Sequence, residues 1–538
     1  MPKVPPSPAA AELLELRVLD GPNRFLTRPA IKLDFGADVP GLASDVAATA
    51  GLAVRRLHVA LDLPAPRMVV RPSADHTRVS LAFAWRRRTI AQSIAAAAAR
   101  LALGHSTERR ELRALRAIAS GPRPQLVRPR VPIVAITGTN GKSTTTRLIA
   151  HIAESAGLRT GMTNSDGIYL RGELVEAGDW TGFGGAARVL NEPGLDLAAL
   201  ETARGGILLR GIGYSANDVA VVTNVSADHL GLQGIDTLDE LADVKAAVVR
   251  ITRRTGWAVL NAADPLVWAM RRQTKARWYP FSLDPTLPQV EDALDRGGRA
   301  AVLQRGWLVL LAAGRPPRRL ARAVDLPVTF AGLSQYNVAN ALAAAAASDA
   351  LGIDHDQIAA GLRSFAQDSA ANPGRLNLYE RDGVLAIVDF AHNEAGLSGL
   401  LEVCRMLASA PGRGRRGKVR LAVGTAGDRT DEILHNLGEL AGTADDVVIS
   451  EKRHYLRGRD LNEMNAILRE GIAEAGYTRE VATIDTELSA LQALLARSRR
   501  GDVAAVMSHV ERPDIFAWLE EEGFRSVDLD RLRTMVGA

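Results

Sequence analysis

With one cysteine in 538 residues, Cys404, the chain cannot close an internal disulfide, and a reducing, cytoplasmic setting is the simplest expectation. Aromatic residues make up only 4% of it. Long apolar runs are missing too. The alanine-rich stretches "TIAQSIAAAAARLALG" (89–104) and "VANALAAAAASDALG" (338–352) are shorter than a membrane span and polar at their ends, so they read as buried helices and no membrane is expected. Charge of one sign is scarce: 66 basic against 61 acidic residues leave +5. An arginine-rich solvated surface with some bias toward anionic substrates accounts for that balance, and a nucleic-acid partner is not expected. The opening "MPKVPPSPAAAELLELR" lacks the charged start and apolar run of a secretory signal. There is no short-period repeat and no long low-complexity tract.

What is present is the material of a globular α/β protein, 47% hydrophobic and too long for a single core. Three domains are expected. Residues 1–125 alternate strand-like runs ("LLELRVLD", "PAIKLDF", "RMVVRP", "RVSLAFAW") with helical patterns near 43–61 and 89–104, which makes a small α/β domain. A basic joint with prolines, "GPRPQLVRPRVP" (121–132), reads as a linker. Over 131–370, strand candidates at 131–137, 195–201, 218–223 and 256–260 run into loops and helices, the mark of a parallel sheet covered on both faces. Over 371–538, "VLAIVDF", "KVRLAVGT", "DDVVIS" and "DVAAVMS" alternate with helical stretches, enough for a second, doubly wound, Rossmann-like domain.

The stretch "ITGTNGKSTTTR" (136–147) joins the strand candidate "VPIVAIT" to a helical pattern. Gly138 and Gly141 allow the backbone between them, Thr139 and Asn140, to turn its N–H groups inward, and Thr144 follows in the first helical turn, where the helix dipole favours phosphate. Lys142 can reach terminal phosphates, and Ser143 can ligate Mg²⁺. A plain glycine turn is the alternative. The usual phosphate loop has one more glycine, at the position that Ile136 fills here.

This shortened form resembles the nucleotide loop of the Mur ligase family, which includes the cell-wall peptide ligases, folylpolyglutamate synthase and cyanophycin synthetase. Further segments resemble it in order. "LETARGGILLRGIGY" (200–214) places Glu201 at a strand end, and "VVTNVSADHLG" (221–231) places Asn224, Asp228 and His229 after another strand. The resemblance implies that Ser143 and Glu201 hold one Mg²⁺, and that His229 and a carbamylated Lys245 hold a second. An unmodified Lys245 in a helical salt bridge is the ordinary alternative. "GLSQYNVANALAAAAA" (332–347) offers Asn337 as an adenine contact or, alternatively, as a helix cap. "NPGRLN" supplies Arg375 and "DFAHNE" supplies Asp389, His392 and Asn393, which the family brings onto the nucleotide when its last domain closes. The family's Asp-Tyr-Ala-His-Asn-Pro has Phe390 and Glu394 here.

Longer stretches, among them residues 163–190, 224–246 and 455–463, look like the ligase half of cyanophycin synthetase, and the leading segment is similar to its N-terminal domain. The ATP-grasp module that stands between those parts in that enzyme is replaced by the short joint. The resemblance therefore implies an ATP- and Mg²⁺-dependent amide ligase that makes an acyl phosphate on an acceptor carboxylate of a peptide or polymer and couples it to an amino acid. Arginine on aspartate is the nearest pair, another peptide or glutamate acceptor the next, and a P-loop ATPase or a scaffold without ligase activity the remaining alternatives. A separate ATP-grasp enzyme is a partner to look for. For residues 1–125, acceptor binding and contacts between copies of the chain are both open. Asp428, Arg429, Asp431, Arg453, Arg457 and Arg459 lie on two loops after strand candidates, where they could read an amino-acid donor or form surface ion pairs.

Overall fold

The computed structural model describes residues 11–228, 230–414 and 416–537. Its centre is an eleven-stranded sheet. Seven strands in the middle run parallel, in the order Arg299–Gln304, Arg277–Ser282, Thr252–Asn261, Asn217–Val222, Ile133–Thr137, Leu197–Glu201 and Thr160–Thr163. Antiparallel strands extend both edges.

The parallel strands form where the sequence is continuously apolar, because both of their faces are covered. Alternate residues serve the two sides. Val134, Ile136, Ala199, Val219 and Val221 face the helices Lys142–Ser155 and Gln335–Ala350, while Ile133, Ala135, Ala198, Leu200 and Val222 face the helix Leu238–Arg250. Gln335–Ala350 is buried almost all round, and its run of alanines lets neighbouring backbones approach closely.

From Ile133–Thr137 the chain first builds strands on one side, Thr160–Thr163 and Leu197–Glu201, and then crosses to build Asn217–Val222 on the other. Outside the carboxyl end of that central strand the connections diverge and leave a crevice.

A second sheet of seven strands follows, in the order Ala482–Ile484, Asp446–Ser450, Val419–Val423, Val503–Met507, Val384–Asp389, Asn377–Arg381 and Arg525–Ser526, of which the first five are parallel. The four strand candidates of this region lie side by side in it.

The N-terminal sheet is antiparallel: Ala11–Leu19, Ala30–Ala37, Arg78–Ala84 and Met68–Pro72, with helices Leu42–Ala60 and Arg88–Ala102 sharing its core. It is docked against the central unit through backbone bonds, Asp20 N–H to Arg210 O (2.7 Å) and Ile212 N–H to Pro22 O (2.7 Å), and through ion pairs of Arg24 with Glu240 and Asp243. The joint 121–132 is not a free tether, since Val127 bridges to Tyr214 and packs on the central core.

Candidate active site

A cavity of about 1050 Å³ opens at the crevice, walled by the central unit on one side and by the start of the C-terminal unit on the other. Gly138, Thr139, Asn140, Gly141, Lys142, Ser143 and Thr144 all line it. The glycines are required by geometry: Gly138 and Gly141 have φ of +151° and +82°, and a Cβ at Gly141 would stand 2.2 Å from Asn340 Oδ1. The loop is pinned from the next strand. Thr139 N–H donates to Asn224 O (2.9 Å), Asn140 N–H to Asn224 Oδ1 (2.9 Å), and Thr223 Oγ1 to Asn140 O (2.6 Å). Lys142 Nζ donates to Thr139 O at 2.8 Å, so the amine lies over the loop it serves.

Strand pairing of Ile136 with Glu201 sets this carboxylate beside the loop. Glu201 is 4% exposed, and its Oε2 has no hydrogen-bond partner among the described residues. Burial pushes its carboxyl up from the ordinary range, against the pull of Lys142, a hydrogen bond from Ser143 and the charge of Arg375. A buried, unpartnered carboxylate oxygen next to a serine hydroxyl is a fitting pair of ligands for Mg²⁺, which takes one or two protein oxygens and leaves the rest to phosphates and water. Among the described residues, no three His, Cys, Asp or Glu side chains converge into a ready metal cage.

Lys245 also lines the cavity. It is 3% exposed, and its Nζ donates to Gly138 O at 2.7 Å. Burial lowers its pKa to about 7, with Lys142 and Arg204 adding to the effect and Asp228 opposing it. Among the described residues, the hydrogen-bond partner of Lys245 Nζ is this backbone carbonyl and not a carboxylate of its helix. His229, the expected companion ligand, lies outside the described residues.

The C-terminal unit supplies the opposite wall. Arg375 Nη2 reaches Ser143 Oγ at 3.3 Å, and its guanidinium lies 4.6 Å from the centre of the Phe390 ring. Asn393 and Asn140 exchange side-chain amide bonds at 3.0 and 3.1 Å across the seam. His392 lies 3.8 Å from Asp228, which also meets Arg429 at 3.5 Å. Asp389 lines the cavity, but its carboxylate accepts from Leu376 N–H (2.8 Å) and Ala391 N–H (2.7 Å). It builds the turn that carries Arg375.

Asn337 sits within the helix Gln335–Ala350, whose cap position is Ser334, so it is not the cap. It lines the cavity together with Asn340, one turn on, from whose Nδ2 it accepts at 3.0 Å. Of the six donor-site candidates, only Asp428 lines the cavity. Arg429 lies behind it, bonded to Asp428 and to His392 O. Asp431 and Arg459 pair with each other at 2.8 Å, Arg453 pairs with Glu451 and Asp485, and Arg457 is exposed beside Tyr455. Strands Val419–Val423 and Asp446–Ser450 do end at these loops, which bond to one another, Gly427 N–H to Tyr455 O at 2.8 Å, but those four side chains do not line the cavity.

Several wall residues were not singled out from the sequence: Ser165, Asp179, Thr181, Arg204, Tyr336 and Asn340. Asn340 carried a readable signal, an asparagine three residues after Asn337 in a helical pattern and so on the same face. Ser165 follows the outermost parallel strand, Thr160–Thr163, and Asp179 follows the edge strand Glu173–Ala177, and no spacing announces them.

Comparison with known proteins agrees with this architecture. The description "Mur ligase middle domain" matches residues 136–348, and "Mur ligase, glutamate ligase domain" matches residues 374–510. The chain is 39% identical over 377 residues to a cyanophycin synthetase of Crocosphaera subtropica, an alignment covering 70% of this chain and 42% of that protein, so it spans less than half the length of such relatives. It is 30% identical over 338 residues to the UDP-N-acetylmuramoyl-L-alanyl-D-glutamate–2,6-diaminopimelate ligase of Gloeobacter violaceus, covering 60% of this chain and 61% of that one. Among solved structures it shares its fold with a bifunctional folylpolyglutamate synthase/dihydrofolate synthase with Mn, AMPPNP and L-glutamate bound (TM-score 0.52, 20% identity, 72% of this chain and 89% of that chain). The chain belongs to the Mur ligase family, whose members are ATP-dependent amide-bond ligases.

Proposed function

We propose that this chain is an ATP- and Mg²⁺-dependent ligase that phosphorylates an acceptor carboxylate and joins it to the amine of an amino acid. The observation that carries this reading is the meeting, at one point, of the phosphate loop, the buried Glu201 carboxylate beside Ser143, and Arg375 from the C-terminal unit.

A carboxylate is a poor electrophile, so the acceptor oxygen first attacks the γ-phosphorus of ATP; the bond to the bridging oxygen breaks and ADP leaves. The loop amides and Lys142 hold the β- and γ-phosphates in line, and Arg375 neutralises the charge that spreads over the transferring group. Mg²⁺, held by Ser143 and Glu201, would supply further neutralisation of the phosphates. The neutral amine then attacks the acyl carbon, a proton is lost, and phosphate departs as the amide forms. Closure of the C-terminal unit over the cavity excludes the water that would hydrolyse the acyl phosphate.

In this reading residues 131–370 hold the nucleotide, 371–538 present the donor, and 1–125 form a third domain. A lysine amine with a pKa near 7 has about half of its population as free amine at neutral pH and so is nucleophilic toward carbon dioxide, which supports carbamylation of Lys245 and a second ion shared with His229. Similarity to cyanophycin synthetases supports arginine as donor and aspartate as acceptor, and Asp428 on the cavity wall suits a cationic donor. A separate ATP-grasp enzyme is then the proposed source of the backbone aspartate.

The test is a matrix of twenty amino acids against aspartate- and glutamate-containing peptides, read by ATP-dependent mass gain. Gain of arginine on aspartate supports the full reading, and another pair redirects the substrate only. ADP release that needs neither acceptor nor amine rejects the ligase in favour of an ATPase. In Lys142→Ala, turnover falls by about 10² or more, because a charge aimed at the transferring group is gone.

A further inference from the structure

Residues 365–376 run between the helix His355–Ser364, which packs on the central core, and the strand Asn377–Arg381 of the second sheet. This connection determines how the two walls of the cavity can move. Two arginines from distant parts of the chain bond to it, and one carboxylate joins them. Arg147, on the phosphate-loop helix, donates Nη1 to Ala371 O at 3.2 Å. Arg512, at the start of the helix Arg512–Glu521, donates Nη1 to Pro373 O at 3.2 Å. Asp166, between the strands Thr160–Thr163 and Gly167–Leu170, joins the two: Oδ2 lies 3.1 Å from Arg147 Nη2 and Oδ1 lies 3.1 Å from Arg512 Nη2.

The cluster is dry. Side-chain exposure is 5% for Arg147, 12% for Asp166 and 19% for Arg512. Burial by itself would raise the Asp166 carboxyl, yet the surrounding charges of Arg375, Arg512 and Arg147 outweigh it and hold the group below its ordinary range. The neighbouring residue, Ser165, places its Oγ 3.2 Å from Ser143 Oγ, so the carboxylate that joins the two arginines stands one residue from a side chain that touches the phosphate site. Arg375 and Arg512 share the Phe390 ring, 4.6 and 5.2 Å from its centre.

We infer that Asp166 is a positioning residue that locks the connection at 371–373 and thereby holds the C-terminal unit in the register where Arg375 reaches Ser143. Without its charge, the guanidinium groups of Arg147, Arg375 and Arg512 repel one another across the seam, and the balance moves toward separation of the walls. This inference rests on the ligase reading for its kinetic consequence, but not for its structural one.

The experiment uses the full chain with Asp166→Asn and Asp166→Glu, and AMP-PNP as the nucleotide probe. With AMP-PNP bound, Asp166→Asn is expected to show a larger radius of gyration in small-angle X-ray scattering than the native chain, and Asp166→Glu to return toward the native value. AMP-PNP affinity falls by less than the donor's, since the loop amides and Lys142 are untouched and only the Arg375 contact is released, while KM for the amino-acid donor rises about tenfold or more, the scale expected for a broken buried ion pair. Arg512→Gln, which severs the C-terminal arm and leaves Arg147–Asp166 intact, reproduces the expansion and serves should Asp166→Asn not fold. Native scattering and a native donor KM in both Asp166→Asn and Arg512→Gln overturn the inference, as does equal loss of nucleotide binding in all three variants. If no donor is ever ligated, the function reading fails while scattering still decides the role of Asp166.

Discussion

Lys245 shows how one residue's setting changes its chemistry. In the unfolded chain its amine is protonated up to about pH 10.4; in the fold, burial brings that boundary to about 7. Between these values the unfolded state binds the extra proton, so stability rises with pH, by up to about 1.4 kcal/mol per pH unit. Below pH 7 the full cost of the buried amine is present, and above the unfolded value it is gone. Urea unfolding at a series of pH values should show this slope in the native chain and a flatter one in Lys245→Met. Added bicarbonate should flatten it also, because a carbamate carries no titrating amine. The lysine was visible in the sequence as a member of a motif; its burial and its bond to Gly138 O were not, because they come from a loop 107 positions away. Cys404 is the reverse case. Its helix Glu394–Ala408 faces the second core, burial pushes the thiol far up, and the lone cysteine is a packing residue.

Among the elements, the phosphate loop makes the sharpest demand on sequence. Gly141 caps the helix Lys142–Ser155 in the left-handed region, and the space a side chain would need belongs to Asn340 on the alanine helix. Gly141→Ala should therefore cost the left-handed penalty of about 1–2 kcal/mol plus the displacement of Asn340, and nucleotide binding should fall with it. Gly157→Ala is the control: its φ is +86° but nothing stands within 4 Å, so only the backbone penalty applies and AMP-PNP affinity, read by calorimetry, stays native. Strands buried on both faces, such as Ile133–Thr137 and Leu197–Glu201, were legible because each is a continuous apolar run. Edge strands were not. Glu173–Ala177 is exposed at every position, so its place in the sheet depends on pairing with Gly167–Leu170 and leaves no apolar pattern.

For the molecule as a whole, the N-terminal unit is the part whose attachment the sequence left least determined. It is held at Asp243, which meets Arg24 at 3.1 Å, Arg250 at 2.6 Å and also Arg71, drawing both units onto one carboxylate. Asp243→Ala leaves three guanidinium groups without that carboxylate and should weaken docking by on the order of 3 kcal/mol. Faster proteolysis within 121–132, and an N-terminal unfolding step separated from the main transition, would register that loss; unchanged digestion would show that the backbone bonds at Asp20 and Ile212 suffice. By itself the sequence determined the strand-to-loop-to-helix units and the phosphate loop, because hydrophobic period and local glycine conformation are properties of neighbouring residues. Only the tertiary structure decided which side chains share the cavity, that Asp431, Arg453, Arg457 and Arg459 are not among them, and that Asp166 meets two arginines at the connection. Those outcomes depend on the order in which strands lie across a sheet and on how two sheets face each other, and neither is set by residues close together in the chain.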